Sequence, residues 1–349
     1  MTTKKPMKGK NLFVYGTRPE LIKLYPVVRA TEDKYVVCTG QHKELLDKSL
    51  MTPDTELNLM KPGQRLLTTV DAIICYMSWI IEFCNPERVI VQGDTATAYA
   101  TAMVAFHQGV PIAHVEAGLR SFCRYEPWPE EVYRMFISSV ANLHFAPTKQ
   151  AAANLRRLMP YGDANEIHIT GNTVIDAVNE LAPKHTLDPT VLVTLHRRNA
   201  PVGMYSAGIL KLAREFPEKT FRVLTHPNAT GQQLKHELEG KQGIDLLEPM
   251  HYLEFLKELA RCYMVMTDSG GLQEEAPALN KPVIVLREKT ERPEGLTGGA
   301  FLAPDANKMV EVARMLLTSP IHYINAATAK NPYGDGHAGE KIAEVLNRA

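Results

Sequence analysis

Short apolar runs rich in Val, Ile and Leu recur along this chain, each followed by a polar or glycine-containing turn and then a helix-length segment. One set occupies 12–15, 35–39, 88–91, 111–115, 144–146 and 167–170, and another 191–195, 221–225, 245–247, 264–267, 282–286 and 300–303. Near-continuous apolar strands alternating with helices signal parallel sheets covered on both faces. Two such sets, in a chain whose 349 residues exceed one ordinary core, predict an α/β protein of two doubly wound domains. The join is expected within 179–189, where Pro183 and Pro189 bracket a polar stretch, giving domains of 1–182 and 183–330. No internal repeat or low-complexity segment interrupts the pattern.

Charge and cysteine usage exclude several function classes. Lys plus Arg and Asp plus Glu are 39 each, so no global field recruits nucleic acid or an anionic membrane, and any phosphate recognition must be local. The five cysteines, Cys38, Cys75, Cys84, Cys123 and Cys262, never fall in a C-x-x-C spacing, which suits reduced thiols in a cytoplasmic protein. Lys4, Lys5, Lys8 and Lys10 are not followed by the longer apolar h-region of a signal peptide, so a disordered leader is expected there and no secretory signal. The most apolar helical stretch, 70–84, is short for a bilayer and contains Asp71 and Glu82, so no membrane segment is expected. The histidines show no H-E-x-x-H or related spacing, and no metal is expected.

Polar residues concentrate just after the apolar runs. Tyr15 leads into Gly16-Thr17-Arg18-Pro19-Glu20, Val91 into Gln92-Gly93-Asp94-Thr95, and Val115 into Glu116-Ala117-Gly118-Leu119-Arg120. Leu195 leads into His196-Arg197-Arg198, and Thr267 into Asp268-Ser269-Gly270-Gly271. Open parallel sheets bind ligands beyond the carboxyl ends of their strands, so charged tips from both halves predict a ligand held between facing domains. Ser269, Gly270 and Gly271 read as a tight turn opening a helix, suited to a phosphate. Glu274 and Glu275 follow, and one of them is expected to face a ribose diol. The same pattern also suits an ordinary capped helix with an acidic first turn. Arg292, in a charge-rich loop, and Arg18 and Lys23, at the first turn, are further candidates for a diphosphate. G-x-G-x-x-G is missing from both turns, so a dinucleotide cofactor is not expected.

The acid–base candidates are Asp94, Glu116 and Glu130, with His196 opposite them. Glu116 ends a buried strand beside small residues, and Glu130 lies in Pro127-Trp128-Pro129-Glu130-Glu131, where Trp128 is expected to form an apolar wall. Such settings raise a carboxyl pKa towards the range of a general acid or base. Alternatively, Asp94 lies where a helix cap is needed, and Glu130 with Arg134 has the spacing of a surface i,i+4 pair.

Ordered blocks along nearly the whole chain resemble the non-hydrolysing UDP-N-acetylglucosamine 2-epimerases. They are G-T-R-P-E-L-I-K from Gly16, T-G-Q-H-K-E-L-L-D from Thr39, G-D-T from Gly93, H-V-E-A-G-L-R from His114 and P-W-P-E-E from Pro127. T-G-N-T-V-I-D from Thr170, H-R-R from His196, T-D-S-G-G-L-Q-E-E-A-P from Thr267, T-E-R-P-E from Thr290 and N-P-Y-G-D-G from Asn331 complete the set. The resemblance implies a GT-B-like pair of Rossmann-like domains facing across a cleft, usually a homodimer, with a last segment, 331–349, that returns to the first domain. It implies interconversion of UDP-GlcNAc and UDP-ManNAc without a cofactor, by loss of UDP to 2-acetamidoglucal and its re-addition. Asp94, Glu116 and Glu130 would then handle the C2 protons, and His196 would favour departure of the diphosphate. Arg18, Ser269, Gly270, Gly271 and Arg292 would hold the diphosphate, and Glu275 the ribose, with Lys23, Arg134 and Phe255 near the nucleotide.

Several positions depart from the family pattern. Asn199-Ala200-Pro201 follows His196-Arg197-Arg198, Ser121-Phe122-Cys123 follows Arg120, and His226-Pro227-Asn228 is a shortened turn. Many bacterial members bind a second UDP-GlcNAc as activator. Gln41, His42, Gln64, Glu131 and Arg197 match that site, whereas Glu44 and Gly63 replace a family Gln and Arg, so activation is expected to be weak or absent. The competing readings are a hydrolysing 2-epimerase releasing ManNAc, a GT-B glycosyltransferase, and a catalytically silent nucleotide-sugar sensor.

Overall fold

The computed structural model describes residues 11–40, 50–59, 64–158, 166–184, 187–197, 200–290 and 292–348. The lysine-rich leader lies outside them. The chain divides into two compact units: one runs to Ala177 and takes back the chain from Gly334 onward, and the other is Val178–Tyr333. The switch at 177–178 falls slightly before the proline-bracketed stretch, because Ala177 and Val178 sit in the middle of a continuous helix, Thr173–Leu181.

In the first unit the strands are β1 (Asn11–Tyr15), β2 (Lys34–Cys38), β3 (Thr55–Glu56), β4 (Arg88–Gln92), β5 (Ile112–Val115), β6 (Leu143–Ala146) and β7 (Glu166–Ile169). They form a parallel sheet in the order β3-β2-β1-β4-β5-β6-β7. Strands β1, β4 and β5 are buried throughout, as a sheet covered on both faces requires. The second unit holds β8 (Thr190–Thr194), β9 (Thr220–Leu224), β10 (Ile244–Leu247), β11 (Met264–Thr267), β12 (Val283–Val285) and β13 (Ala300–Leu302). These are parallel in the order β10-β9-β8-β11-β12-β13. Both are doubly wound Rossmann-like sheets. Each reverses its winding once, between β1 and β4 and between β8 and β11, and those reversals are where such sheets open a crevice at their carboxyl ends.

The helices that matter for the first site are α1 (Arg18–Ala30), α2 (Leu66–Cys84), α3 (Ala96–His107) and α4 (Glu130–Val140). Helix α2 is longer than expected. Its 19 residues are enough, by length and composition alone, to cross a membrane. Thr69, Ile73, Met77, Ile80 and Ile81 are nevertheless buried in the core of the first unit, which makes α2 a packing helix of that unit. The terminal helix Ala338–Arg348 completes the same unit. Ile342 and Leu346 join the core formed by Phe13, Leu24, Val27 and Ile90. Asp176 accepts a hydrogen bond from Gly339 N at 2.7 Å, and Arg88 donates to the Leu346 carbonyl at 2.9 Å.

Candidate active site

The turns after β1, β4 and β5 bring the first unit's polar residues to one edge. Glu116 follows β5 with φ of 64°, the left-handed region that side chains other than glycine rarely occupy. Such strain costs on the order of 1–3 kcal/mol and persists only where surrounding contacts hold it. Lys23 donates to Oε1 at 2.5 Å, Asn172 donates to Oε1 at 3.3 Å, and Gln92 donates to Oε2. Glu116 is therefore shielded from water but not apolar in its surroundings: three donors face it. Gly118 is fixed by the same bend. Its φ is 89°, and a Cβ there would come within 2.2 Å of the Ala151 carbonyl oxygen.

Asp94 lies in the turn between β4 and α3 and forms an ion pair with Arg134 of α4. It is not the helix cap. Thr95 performs that task, its hydroxyl accepting from Ala98 N at 3.1 Å. Arg134 also pairs with Glu131 at 3.3 Å, so its guanidinium meets two carboxylates, and neither is Glu130. Glu130 opens α4, and its Oε2 is buried without a hydrogen-bond partner among the described residues. Trp128 is 64% exposed and does not form the expected wall. Arg18 begins α1, half-buried, directly after the Thr17 cap.

In the second unit the carboxyl ends of β8 and β11 meet around Asp268, which is 1% exposed. Its carboxylate accepts from His196 N at 3.0 Å and Arg197 N at 2.9 Å, and lies 3.0 Å from His196 Nδ1. Burial opposes its ionisation, but the hydrogen bond and charge of His196 and the backbone donors outweigh that and hold the carboxyl below its usual range. A carboxylate on Nδ1 orients the ring and leaves Nε2 for a ligand. The sequence reading took Asp268 only as the start of a phosphate turn. Its place beside β8, at the reversal of the sheet, was the signal that it orients His196.

Ser269, Gly270 and Gly271 open the helix Leu272–Ala278. The two glutamates lie in different settings. Glu274 is 1% exposed and binds Arg292 Nε at 2.7 Å, whereas Glu275 is half-buried, with Oε1 only 3.4 Å from where a Cβ on Gly271 would sit. Arg292 is not a solvated loop charge. Glu274 holds its guanidinium, Thr290 Oγ1 accepts from its N–H at 3.1 Å, and its carbonyl accepts from Tyr333 at 3.3 Å. Phe255 is half-buried on the helix Tyr252–Arg261, which follows β10.

Comparison with known proteins gives this geometry a family. The family model described as UDP-N-acetylglucosamine 2-epimerase matches residues 28–347. The chain is 38% identical to the UDP-N-acetylglucosamine 2-epimerase of Bacillus subtilis, over 97% of this chain and 95% of that one. The chain belongs to the UDP-N-acetylglucosamine 2-epimerase family. The Yersinia pestis enzyme of the same name is also 38% identical, over 97% and 98% of the two chains. Among solved structures, the Neisseria meningitidis epimerase bound to UDP-GlcNAc aligns with a TM-score of 0.88 at 35% identity, covering 97% of this chain and 100% of that chain. The Methanocaldococcus jannaschii epimerase in complex with UDP-GlcNAc and UDP gives 0.80 at 32%, with the same coverage. These relatives carry the GT-B-like fold that the two parallel sheets match.

Of the five residues matched to the family's second nucleotide site, Gln41 and His42 lie outside the described residues, as do Glu44 and Gly63. Gln64 is half-buried ahead of α2, and Arg197 is exposed after β8. Glu131 faces inward. It is 1% exposed, and its carboxylate accepts from Ser121 N at 3.0 Å and Phe122 N at 3.1 Å, which ties down the loop after β5.

Proposed function

We propose that this chain interconverts UDP-GlcNAc and UDP-ManNAc by elimination and re-addition of UDP. A carboxylate removes the C2 proton, the C1–O bond breaks with its electron pair leaving on UDP, and a C1–C2 double bond forms as 2-acetamidoglucal. UDP then adds back at C1 while a proton reaches the opposite face of C2. The observation that carries this reading is the arrangement of Glu116, held in a left-handed conformation by three donors at the end of β5, with Asp94 in the neighbouring turn. Backbone strain that surrounding contacts hold in place clusters at functional sites. Together with Glu130 these residues supply acid–base groups for two faces of one carbon.

In this reading Arg18, Ser269, Gly270, Gly271 and Arg292 hold the diphosphate, and Glu275 holds the ribose. His196, oriented by Asp268, stabilises the departing phosphate, and Phe255 lies by the nucleotide. Lys23 and Arg134 act on the carboxylates they pair with, Glu116 and Asp94. Five free cysteines, Cys75 and Cys123 exposed among them, suit the cytoplasm. A homodimer fits α2, whose outer face presents Tyr76, Trp79 and Phe83 at i, i+3 and i+7, with the Trp79 and Phe83 rings stacked at 4.9 Å. The test is incubation with UDP-GlcNAc in D₂O, followed by NMR of the products. UDP-sugars deuterated at C2 are expected. Unlabelled epimer after full turnover overturns elimination, and free ManNAc in place of UDP-ManNAc indicates hydrolysis.

A further inference from the structure

Glu20 is the most deeply buried carboxylate at the sheet reversal of the first unit, at 0% exposure, and none of the chemistry above uses it. Its Oε2 accepts from Gly16 N at 3.0 Å, Thr17 N at 2.7 Å and Thr17 Oγ1 at 2.7 Å. Its Oε1 accepts from Thr95 Oγ1 at 2.6 Å. Two of these partners are backbone N–H donors and two are hydroxyls, which donate to a carboxylate and accept from a protonated one, so the links persist in either state. Burial pushes its pKa up to about 7, against the lowering effect of the bonds from Thr95, Thr17 and Gly16.

A glutamate three residues into a helix commonly caps it by reaching back to the backbone. Oε2 alone does that here. Oε1 instead crosses from the turn after β1 to the turn after β4, and its partner Thr95 is the residue next to Asp94. The same turn is held from its other side. His114 lies with Nε2 2.8 Å from the Gly93 carbonyl, and burial keeps the ring neutral, with a pKa of about 3. Gly93, Asp94 and Thr95 are consecutive, so the residue between two anchored neighbours is the one whose carboxylate meets Arg134.

We propose that Glu20 is a positioning residue for Asp94, acting through the Thr95 hydroxyl and locking the turn after β4 to the turn after β1. This rests on the reading of Asp94 as an acid–base group. A Glu20 that only caps α1 would affect stability and leave turnover alone.

Thr95→Val removes the link, together with the α3 cap that the same hydroxyl provides, while leaving the three bonds of Glu20 to its own turn; Thr95→Ser restores the hydroxyl, and changes at Glu20 leave the cap in place. We expect Thr95→Val to lower kcat roughly 10–100-fold, as a small displacement of a catalytic group does. KM and UDP affinity should stay within about 2-fold, and Thr95→Ser should recover most of the loss. Glu20→Gln should lower kcat in the same way, and the double variant should lose little more than the larger single. Additive losses, or a lowered Tm with unchanged kcat, overturn the proposal. Crystallography supplies an arm independent of the sugar nucleotide turned over. In Thr95→Val the Asp94 carboxylate should move from Arg134, and an unmoved Asp94 also overturns the proposal. If the unmodified enzyme leaves UDP-GlcNAc unchanged, the functional reading fails instead, and the crystallographic arm still decides the role of Glu20.

Discussion

Asp94, Glu116 and Glu130 bear the same functional group in three different settings: one ion-paired, one ringed by donors, one with a buried oxygen that has no hydrogen-bond partner among the described residues. Amide replacements separate chemistry from binding. Asp94→Asn, Glu116→Gln and Glu130→Gln should each lower kcat by roughly 10²–10⁴ with UDP affinity nearly intact. Arg292→Ala should weaken UDP itself. Steady-state rates beside UDP titration calorimetry check both, and equal loss of UDP binding in all four variants contradicts the assignment of roles.

Buried titrating groups also shape stability against pH. Glu20, raised from 4.5 to about 7, holds its proton more tightly in the folded chain. Its contribution is therefore complete below about 4.5 and lost as pH rises through 7. His114 and His144 oppose it. Burial lowers them from 6.5 to about 3 and about 4, so their contribution is complete above 6.5 and lost as pH falls. Between 4.5 and 6.5 two histidines outweigh one carboxylate, and stability should climb with pH. Glu20→Gln should steepen that climb, by about 1.4 kcal/mol per pH unit for a full proton. Denaturant melts across this range measure it, and an unchanged slope means Glu20 does not titrate there.

At the scale of elements, the twelve apolar runs all appear as strands, within a residue or two of their expected ends. Burial on both faces of a parallel sheet writes itself into sequence as an uninterrupted apolar run. Strand β3 was missed because a two-residue edge pairing, Thr55–Glu56, carries no such run. Side-chain direction was less legible. Motif spacing says nothing of which way the first turn of α4 faces, so the bonds of Glu131 to the loop after β5 and the pairing of Arg134 with Asp94 appear only in the structure. The outer face of α2 yields a prediction at this scale. Trp79→Glu should shift a homodimer to monomer in sedimentation velocity, since a charge at the centre of an apolar contact is costly to bury. A variant that sediments like the unmodified protein contradicts the α2 contact.

For the molecule as a whole, the sequence reading expects an enzyme that starts on pure UDP-ManNAc without a lag, because Gly63 and Glu44 lack the donors that would grip an activating nucleotide. A lag abolished by traces of UDP-GlcNAc shows that the second site works regardless. The terminal helix gives a second test at this scale. Leu346 is 2% exposed in the core of the first unit, so Leu346→Ala should cost about 2–5 kcal/mol there. Hydrogen exchange resolved along the chain should show lost protection in β1 and α1 with β8–β13 spared. Loss spread evenly over both units contradicts independent cores.

That return also orders events during synthesis. Domains generally fold as units while the chain emerges from the ribosome. Val178–Tyr333 is one continuous stretch and can close as soon as it is made, whereas the earlier-made unit must wait for Ile342 and Leu346. The part translated first is thus finished last. Until the terminal helix is made, Phe13, Leu24 and Val27 lack the Ile342 and Leu346 side chains that complete their core.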